Sequence, residues 1–389
     1  MTSLLHLADY VNGLPFTSND FSDRGIPVVR IRQLIDSSSE PDLVDGPVPP
    51  KGRVEDGDLI FSWSGSLAVR IWDRGPAALN QHLFNVRPRA GVDKRWLRWL
   101  LESKLDQFRG QMHGSAMTHL TMDMLRSVRV DLPDLGEQRR VADFLDAETA
   151  RLDSLASVRL QAVKLAQERF EAFVDLELTG GSVDYEPLRR AVDGLTVGVV
   201  VNPSTYVDPE GDVLFFRGVD VSPFVLAVER AQRMSSASNR LLRKSILRCG
   251  DIVSVRVGEP GVSAVVPPEA NGSNCASVMI TRPGERVDSD FLCHVYNSRF
   301  GRSQWQALSV GAAQRQVNVS AAGDFRIPHL SIMRQRDLAC AFEKHRVLVS
   351  ELSKWSARQV CLMTERRRAL ITGAVNGQLD VTTAREMAI

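Results

Sequence analysis

Two stretches of the chain carry apolar residues at helical spacing for about 40 residues each. From Glu137 the apolar or small positions Val141, Leu145, Leu152, Leu155, Ala162, Ala166, Phe170 and Phe173 step by three, four or seven, with no Pro or Gly until Gly180. The second stretch carries Leu338, Phe342, Leu348, Leu352, Trp355, Leu362, Leu370 and Ile371 before Gly373. This spacing predicts two long helices of coiled-coil character, each ~60 Å long at 1.5 Å per residue. Arg159, Gln359 and Arg366 interrupt the seams, so the heptads are imperfect and polar positions can fix register.

Between and before these helices the apolar runs are short and bounded by Asp, Gly and Pro. Residues 26–35, 57–64, 83–87, 213–218, 252–256, 263–266 and 277–281 read as strands. One-sided apolar patterns from Trp96 to Gly110 and from Phe291 to Trp305 each predict a helix with one buried face. The elements therefore recur in order, and so do particular residues. Gln138-Arg139 returns as Gln335-Arg336, Leu155 as Leu352, Leu165 as Leu362, Glu168-Arg169 as Glu365-Arg366 and Gly180 as Gly377, all offset by 197 residues. Gly114 pairs with Gly311 at the same offset, and Leu97 with Leu292 two residues short of it. Upstream the gaps drift but the order holds: Gly57-Asp58 resembles Gly250-Asp251, Arg30 resembles Arg217, and Asn80 resembles Asn274. A period this long exceeds a solenoid repeat, so the repeated unit is a domain with an appended helix.

Composition changes this picture little. At 389 residues there is room for two or three domains, each with its own core. No apolar run approaches a membrane span, and the first residues lack the basic and apolar blocks of a signal peptide, so a cytoplasmic protein is expected. The five cysteines all lie in the second half without C-x-x-C spacing, which predicts free thiols and no metal site. Net charge is +1 overall, yet it is −4 over residues 137–184 and +4 over 331–389. Helices of opposite sign suit one another as partners, with charge selecting the pairing and apolar contact holding it.

The string from Leu132-Pro133-Asp134-Leu135-Gly136-Glu137-Gln138-Arg139-Arg140 to Asp146, leading into a long helix with Glu168-Arg169 near its end, resembles the conserved region of the specificity subunits of type I restriction-modification enzymes. The likeness extends to the Gly-Asp strands at Gly57 and Gly250, the loops at Gly114 and Gly311, and the second conserved region from Ile327-Pro328 to Gly377. The second copy departs from the pattern where Arg334 stands in place of Glu137. The resemblance implies an α+β fold in which two similar mixed α/β target-recognition domains are separated by two long antiparallel coiled-coil helices, as a pseudo-twofold repeat. The expected boundaries are 1–135 and 183–330 for the domains, 136–182 for the first spacer helix, and 331–389 for the second with its tail.

It further implies a non-catalytic, sequence-specific DNA-binding subunit, with each domain reading half of a bipartite duplex site. Two methyltransferase subunits and two restriction and translocase subunits would be its partners, with no membrane. S-adenosylmethionine, ATP and Mg would bind those partners and no cofactor this chain. The alternative is a specificity subunit of a related defence or orphan methylation system with different enzymatic partners. Catalytic motifs are absent from the sequence: there is no G-x-x-x-x-G-K-[ST] loop, and Asn202-Pro203-Ser204-Thr205-Tyr206 is better read as a Pro-initiated turn than as a methyltransferase element. Pro41-Asp42 with Glu102 likewise makes a poor nuclease metal site.

Binding chemistry remains. Arg can pair two-pronged with guanine, and Asn or Gln with adenine. The loop containing Gln314, Arg315, Gln316 and Asn318 is a first choice for DNA contact, with its counterpart containing His113, Ser115, Thr118 and His119. Secondary candidates are Ser62, Ser64, Ser66, Gln81 and His82 in the first domain, and Arg256 and Asn274 in the second. Leu145, Leu152, Leu155, Phe170, Leu348, Leu352, Trp355 and Leu362 are candidates for the helix-pair or subunit interface. Neither domain carries a large positive excess, so partner subunits are expected to supply phosphate contacts.

Overall fold

The computed structural model describes residues 1–113, 119–181, 183–200, 202–311 and 315–382. The chain divides into two compact units, residues 1–159 with 357–389, and residues 160–356.

The first unit holds two main sheets, besides a short antiparallel pairing of Thr2–Ser3 with Arg129–Val130. One is antiparallel, in the order Ala8–Asn12, Leu83–Pro88, Leu59–Ser62, Val69–Ile71. The other runs Phe21–Ser22, Leu43–Val44, Ile26–Val29, Ala77–Leu79, Arg53–Val54, and its parallel pair is Ile26–Val29 with Ala77–Leu79. The second unit repeats the plan. Gly194–Val197, Val278–Arg282, Ile252–Val255 and Ser263–Val265 form an antiparallel sheet. Gln232–Met234, Val213–Arg217 and Asn274–Ala276 form another, in which Val213–Arg217 and Asn274–Ala276 are parallel.

Leu59–Ser62 is buried throughout, as is most of Ile252–Val255, which is why both read as unbroken apolar runs rather than alternating ones. Each is launched from a Gly-Asp turn. Gly57 and Gly250 lie at φ +89° and +86°, where a side chain would be strained, and the carboxylates of Asp58 and Asp251 accept the N–H groups of Glu55 and Arg248 at 3.0 and 2.9 Å.

Parallel pairing corrects one correspondence. Val29 lies opposite Leu79 and Phe216 opposite Cys275, and Arg30 and Arg217 follow as equivalent helix caps. Asn80 is therefore the counterpart of Ala276, not of Asn274. The strand expected over 26–35 also ends at Val29, because Arg30 caps a short helix, Ile31–Ile35.

The two one-sided helices are each broken in two. Lys94–Ser103 is followed by Leu105–His113, and Ser289–Asn297 by Arg299–Leu308. In the second unit the break follows from Ser298, whose hydroxyl accepts the Gly301 N–H at 3.0 Å and so starts a new helix. Gly301 also permits the tight approach, since a Cβ there would lie 2.0 Å from the Val295 carbonyl oxygen.

The long helices are Leu135–Thr179 and Ile332–Val375, the latter continuing past Gly373. In the first unit Val141, Ala142, Phe144 and Leu145 share a core with Ile371, Ala374 and Val375, and Arg367 lies 3.7 Å from Asp153. In the second, Phe173 packs edge-on against Phe342 with ring centroids 5.6 Å apart, and Arg334 meets Glu177 at 2.6 Å. Each unit thus holds an antiparallel stretch of the helix pair.

The seam is narrower than its sequence pattern. Leu145 and Leu152 are buried and Phe170 and Leu352 partly so, whereas Leu155, Leu348, Trp355 and Leu362 are 43, 60, 51 and 49% exposed. These four are not sealed within the pair. Two helices bury only a thin stripe of each other, and the 3.6-residue turn carries a seven-residue pattern out of it.

Candidate nucleic-acid interface

In each domain the buried central strand runs on past its sheet into a second, shorter pairing. Leu59–Ser62 continues to Ser64, which bridges antiparallel to His119, and the Leu120 N–H donates to the Trp63 carbonyl at 2.8 Å. Ile252–Val255 continues to Val257, which bridges to Gln316, and the Val317 N–H donates to the Arg256 carbonyl at 3.0 Å. The two pairings coincide under the repeat, and they hold the ends of the loops after Gly114 and Gly311. Trp63 and Arg256, each six residues past the Gly of its turn, share one backbone position.

Around Trp63 the fold gathers several candidates. Its indole N–H donates to the Gln81 carbonyl at 3.1 Å, its backbone N–H donates to the His82 carbonyl at 3.2 Å, and its ring lies 5.8 Å from His82 and 5.5 Å from His119. Gln81 and His119 are exposed. Phe84 closes the inner side, with its centroid 5.8 Å from Trp63. Trp63 itself was missed in the sequence, although the equal spacing from Gly57 and Gly250 marks it.

In the second domain Gln316 is fixed by two backbone hydrogen bonds to Val310, at 2.9 and 3.0 Å, and the Gly258 N–H donates to the Arg315 carbonyl at 3.0 Å. Arg315 and Asn318 are exposed and Arg256 is half-buried. Asn318 precedes the short helix Val319–Ala322 without capping it by its side chain. The structure thus brings Arg256, Arg315 and Gln316 together.

Two candidates are corrected. Asn274 is fully buried, and its amide donates to Asn239 Oδ1 at 2.8 Å and to the Leu242 carbonyl at 3.2 Å while its Oδ1 accepts the Cys275 N–H. It holds its strand and cannot reach a ligand. Ser62 is buried as well, its hydroxyl donating to the Ser66 carbonyl at 2.7 Å and accepting the Ala68 N–H at 2.6 Å. Ser64 is buried too, and Ser66 is exposed. Ser115, Thr118 and Gln314, with the side chain of His113, lie outside the described residues.

Carboxylates that looked available in the sequence are taken. Asp42 pairs with Arg30 and Arg32 at 3.3 and 3.2 Å, and Glu102 with Arg98 and Arg367 at 3.1 and 2.6 Å. Pro203–Tyr206 forms a single 3-10 turn after Asn202, which adopts φ +44°. Among the described residues, no group of His, Cys, Asp and Glu is arranged to hold a metal ion, and no helix is long and apolar enough to cross a membrane. What the loop ends offer is donors, acceptors and aromatic faces, the groups that contact base edges and phosphates.

Known proteins share this plan. Residues 12–165 match the family described as the type I restriction modification DNA specificity domain. The type I restriction enzyme EcoBI specificity subunit of Escherichia coli is 22% identical over 406 residues, covering 97% of this chain and 85% of that protein. Among solved structures, a chain reported under "Structural basis underlying complex assembly and conformational transition of the type I R-M system" is 17% identical, covers 97% of both chains and has a TM-score of 0.75. The HsdS subunit from Thermoanaerobacter tengcongensis is 18% identical over 97% of this chain and 96% of that one, with a TM-score of 0.55. Residues 12–165 thus match the type I restriction modification DNA specificity domain, and with its duplicated sheet domains and paired long helices the whole chain is similar to type I restriction-modification specificity subunits.

Proposed function

We propose that the chain is the DNA-recognition subunit of a type I restriction-modification enzyme, and that each sheet domain reads one half of a bipartite duplex target. The observation that carries this reading is the shared backbone position of Trp63 and Arg256: two equivalent scaffolds present different chemistry at the same place. A duplicated binding protein that read one sequence twice would keep those side chains alike. The long helices act as the spacer between half-sites and as the docking surface for two methyltransferase subunits. Two restriction and translocase subunits complete the assembly. The chain itself performs no chemistry and holds no cofactor; S-adenosylmethionine, ATP and Mg bind the partners.

The test is to co-express the chain with its methyltransferase partner and map methylated adenines across a genome. A split motif is expected. Replacing residues 1–135 by those of a relative should change one half of that motif only. Alteration of both halves, or methylation without sequence preference, contradicts the reading.

A further inference from the structure

The position shared by Trp63 and Arg256 differs in how far its side chain is satisfied. Trp63 has its indole N–H on the Gln81 carbonyl and the imidazoles of His82 and His119 near its ring. Arg256 has the opposite character. Its Nε is buried without a hydrogen-bond partner, and among the described residues no carboxylate pairs with its guanidinium. Across the pairing it faces Val317, while Arg315, opposite Gly258 and two positions further along, is a second exposed cation. A half-buried arginine with no acceptor among the described residues is costly unless something outside the chain accepts its donors.

We infer that Arg256 is a specificity-determining residue that reads a guanine in the half-site of the second domain, and that Trp63 leaves the first domain without a guanidinium at that address. The assignment rests on the reading of the chain as a DNA-specificity subunit. Base rather than phosphate is favoured by placement. Phosphate contacts are served by exposed, mobile side chains, whereas Arg256 leaves the end of a strand whose backbone is pinned on both sides, by Val278 within the sheet and by Val317 beyond it. Its backbone is fixed and its Nε is buried, which narrows the directions its planar fork can take. Paired donors of narrowed direction match the O6 and N7 acceptors of guanine in the major groove. Arg315, exposed and one residue before the pinned Gln316, is placed to neutralise the adjacent backbone. In the first domain the same address offers an aromatic face flanked by His82 and His119, which suits apolar contact such as a thymine methyl.

The experiment uses the full chain assembled with its methyltransferase partner. Wild type, Arg256→Ala, Arg256→Lys and Trp63→Ala complexes are compared by methylome mapping and by binding to target duplexes at several salt concentrations. For Arg256→Ala the expected result is tolerance of any base at one guanine of the second half-site. Affinity for the original target should fall by about 10- to 100-fold, with the first half-site and the salt slope retained. Arg256→Lys keeps the charge without the fork and should relax the same position; Trp63→Ala should relax the first half-site instead. Thermal unfolding of each variant guards against misfolding, and Arg256→Lys decides the matter if Arg256→Ala does not fold.

An unchanged motif overturns the inference while leaving the DNA-subunit reading intact. Uniform weakening with a salt slope lower by about one makes Arg256 a phosphate contact and also overturns it. So does failure to assemble with the methyltransferase, which would assign the guanidinium to a partner's carboxylate. If the wild-type complex has no split motif at all, the DNA-subunit reading fails and the inference with it.

Discussion

Gln138 and Gln335 make the same three hydrogen bonds. Each Oε1 accepts the backbone N–H of an aspartate that caps a domain helix, Asp93 at 2.7 Å and Asp288 at 2.9 Å. Each Nε2 donates to two carbonyls, those of Gly91 and Pro133 in one case and of Arg286 and Leu330 in the other. Both side chains are buried, and the following residues, Arg139 and Arg336, reach the same aspartates at 3.9 and 3.7 Å. The Gln-Arg pair repeated in the sequence is therefore the clasp between a domain and its long helix. Removing the amide in Gln138→Ala or Gln335→Ala strands one donor and two acceptors away from water. A loss of about 2–4 kcal/mol is expected. Hydrogen exchange should localise it to Lys94–Ser103 or Ser289–Asn297, and equal protection of wild type and variant would contradict the clasp.

A second equivalent pair differs in its chemistry. Trp99 donates its indole N–H to Asp146 at 2.9 Å, and at the matching place His294 Nε2 lies 3.6 Å from Glu343. Burial pushes the His294 imidazole down to about 4, Glu343 opposing the shift and Arg346 adding to it. The folded protein thus keeps this histidine neutral where an unfolded chain, titrating near 6.5, takes up a proton. The resulting stability is complete above about pH 6.5 and is lost as the pH falls from there towards 4, by on the order of 2–3 kcal/mol. Unfolding of His294→Phe compared with wild type across that range should isolate this contribution. Equal pH dependence of the two proteins would count against it.

Gly261 adopts φ +97°, and a Cβ there would stand 2.0 Å from the Trp305 ring. Gly261→Ala meets both a strained backbone and a fully buried indole that cannot move away. A destabilisation of about 2–4 kcal/mol is expected, measured by denaturant unfolding with Trp305 fluorescence as a local probe. A change below about 0.5 kcal/mol would show that the hairpin slides freely over the helix.

Leu348 and Leu362 test the proposal that the helices dock a methyltransferase partner. Being exposed, Leu348→Ser and Leu362→Ser should shift folding stability by no more than about 0.5 kcal/mol. Co-purification with the methyltransferase should nevertheless weaken. Phe342→Ala, a fully buried core change, should instead cost about 3–5 kcal/mol. Full assembly by both serine variants would take the docking surface elsewhere.

The parts of this molecule that were legible in the sequence are those with local rules. Helix periodicity located Leu135–Thr179 and Ile332–Val375, and the Gly-Asp turns announced their strands because positive φ requires glycine. Nonlocal relations were harder. Asn80 and Asn274 looked alike by their order in the two halves, but parallel strand pairing sets the true register two residues away. The helix breaks at Lys104 and Ser298 were invisible because apolar residues continue across them on one face. Trp63 was overlooked because an aromatic residue in an apolar strand reads as core, and only the pairing of Ser64 with His119 carries it to the domain edge.

The buried strands Leu59–Ser62 and Ile252–Val255 have a consequence for how such a protein can diversify. The place that each presents at its end is fixed by main-chain hydrogen bonds, so a tryptophan and an arginine can occupy it without any change of scaffold. A new preference in one half can then be acquired without renegotiating the other. Across a population of such chains, the repertoire of targets grows as the product of the alternatives in the two halves rather than as their sum.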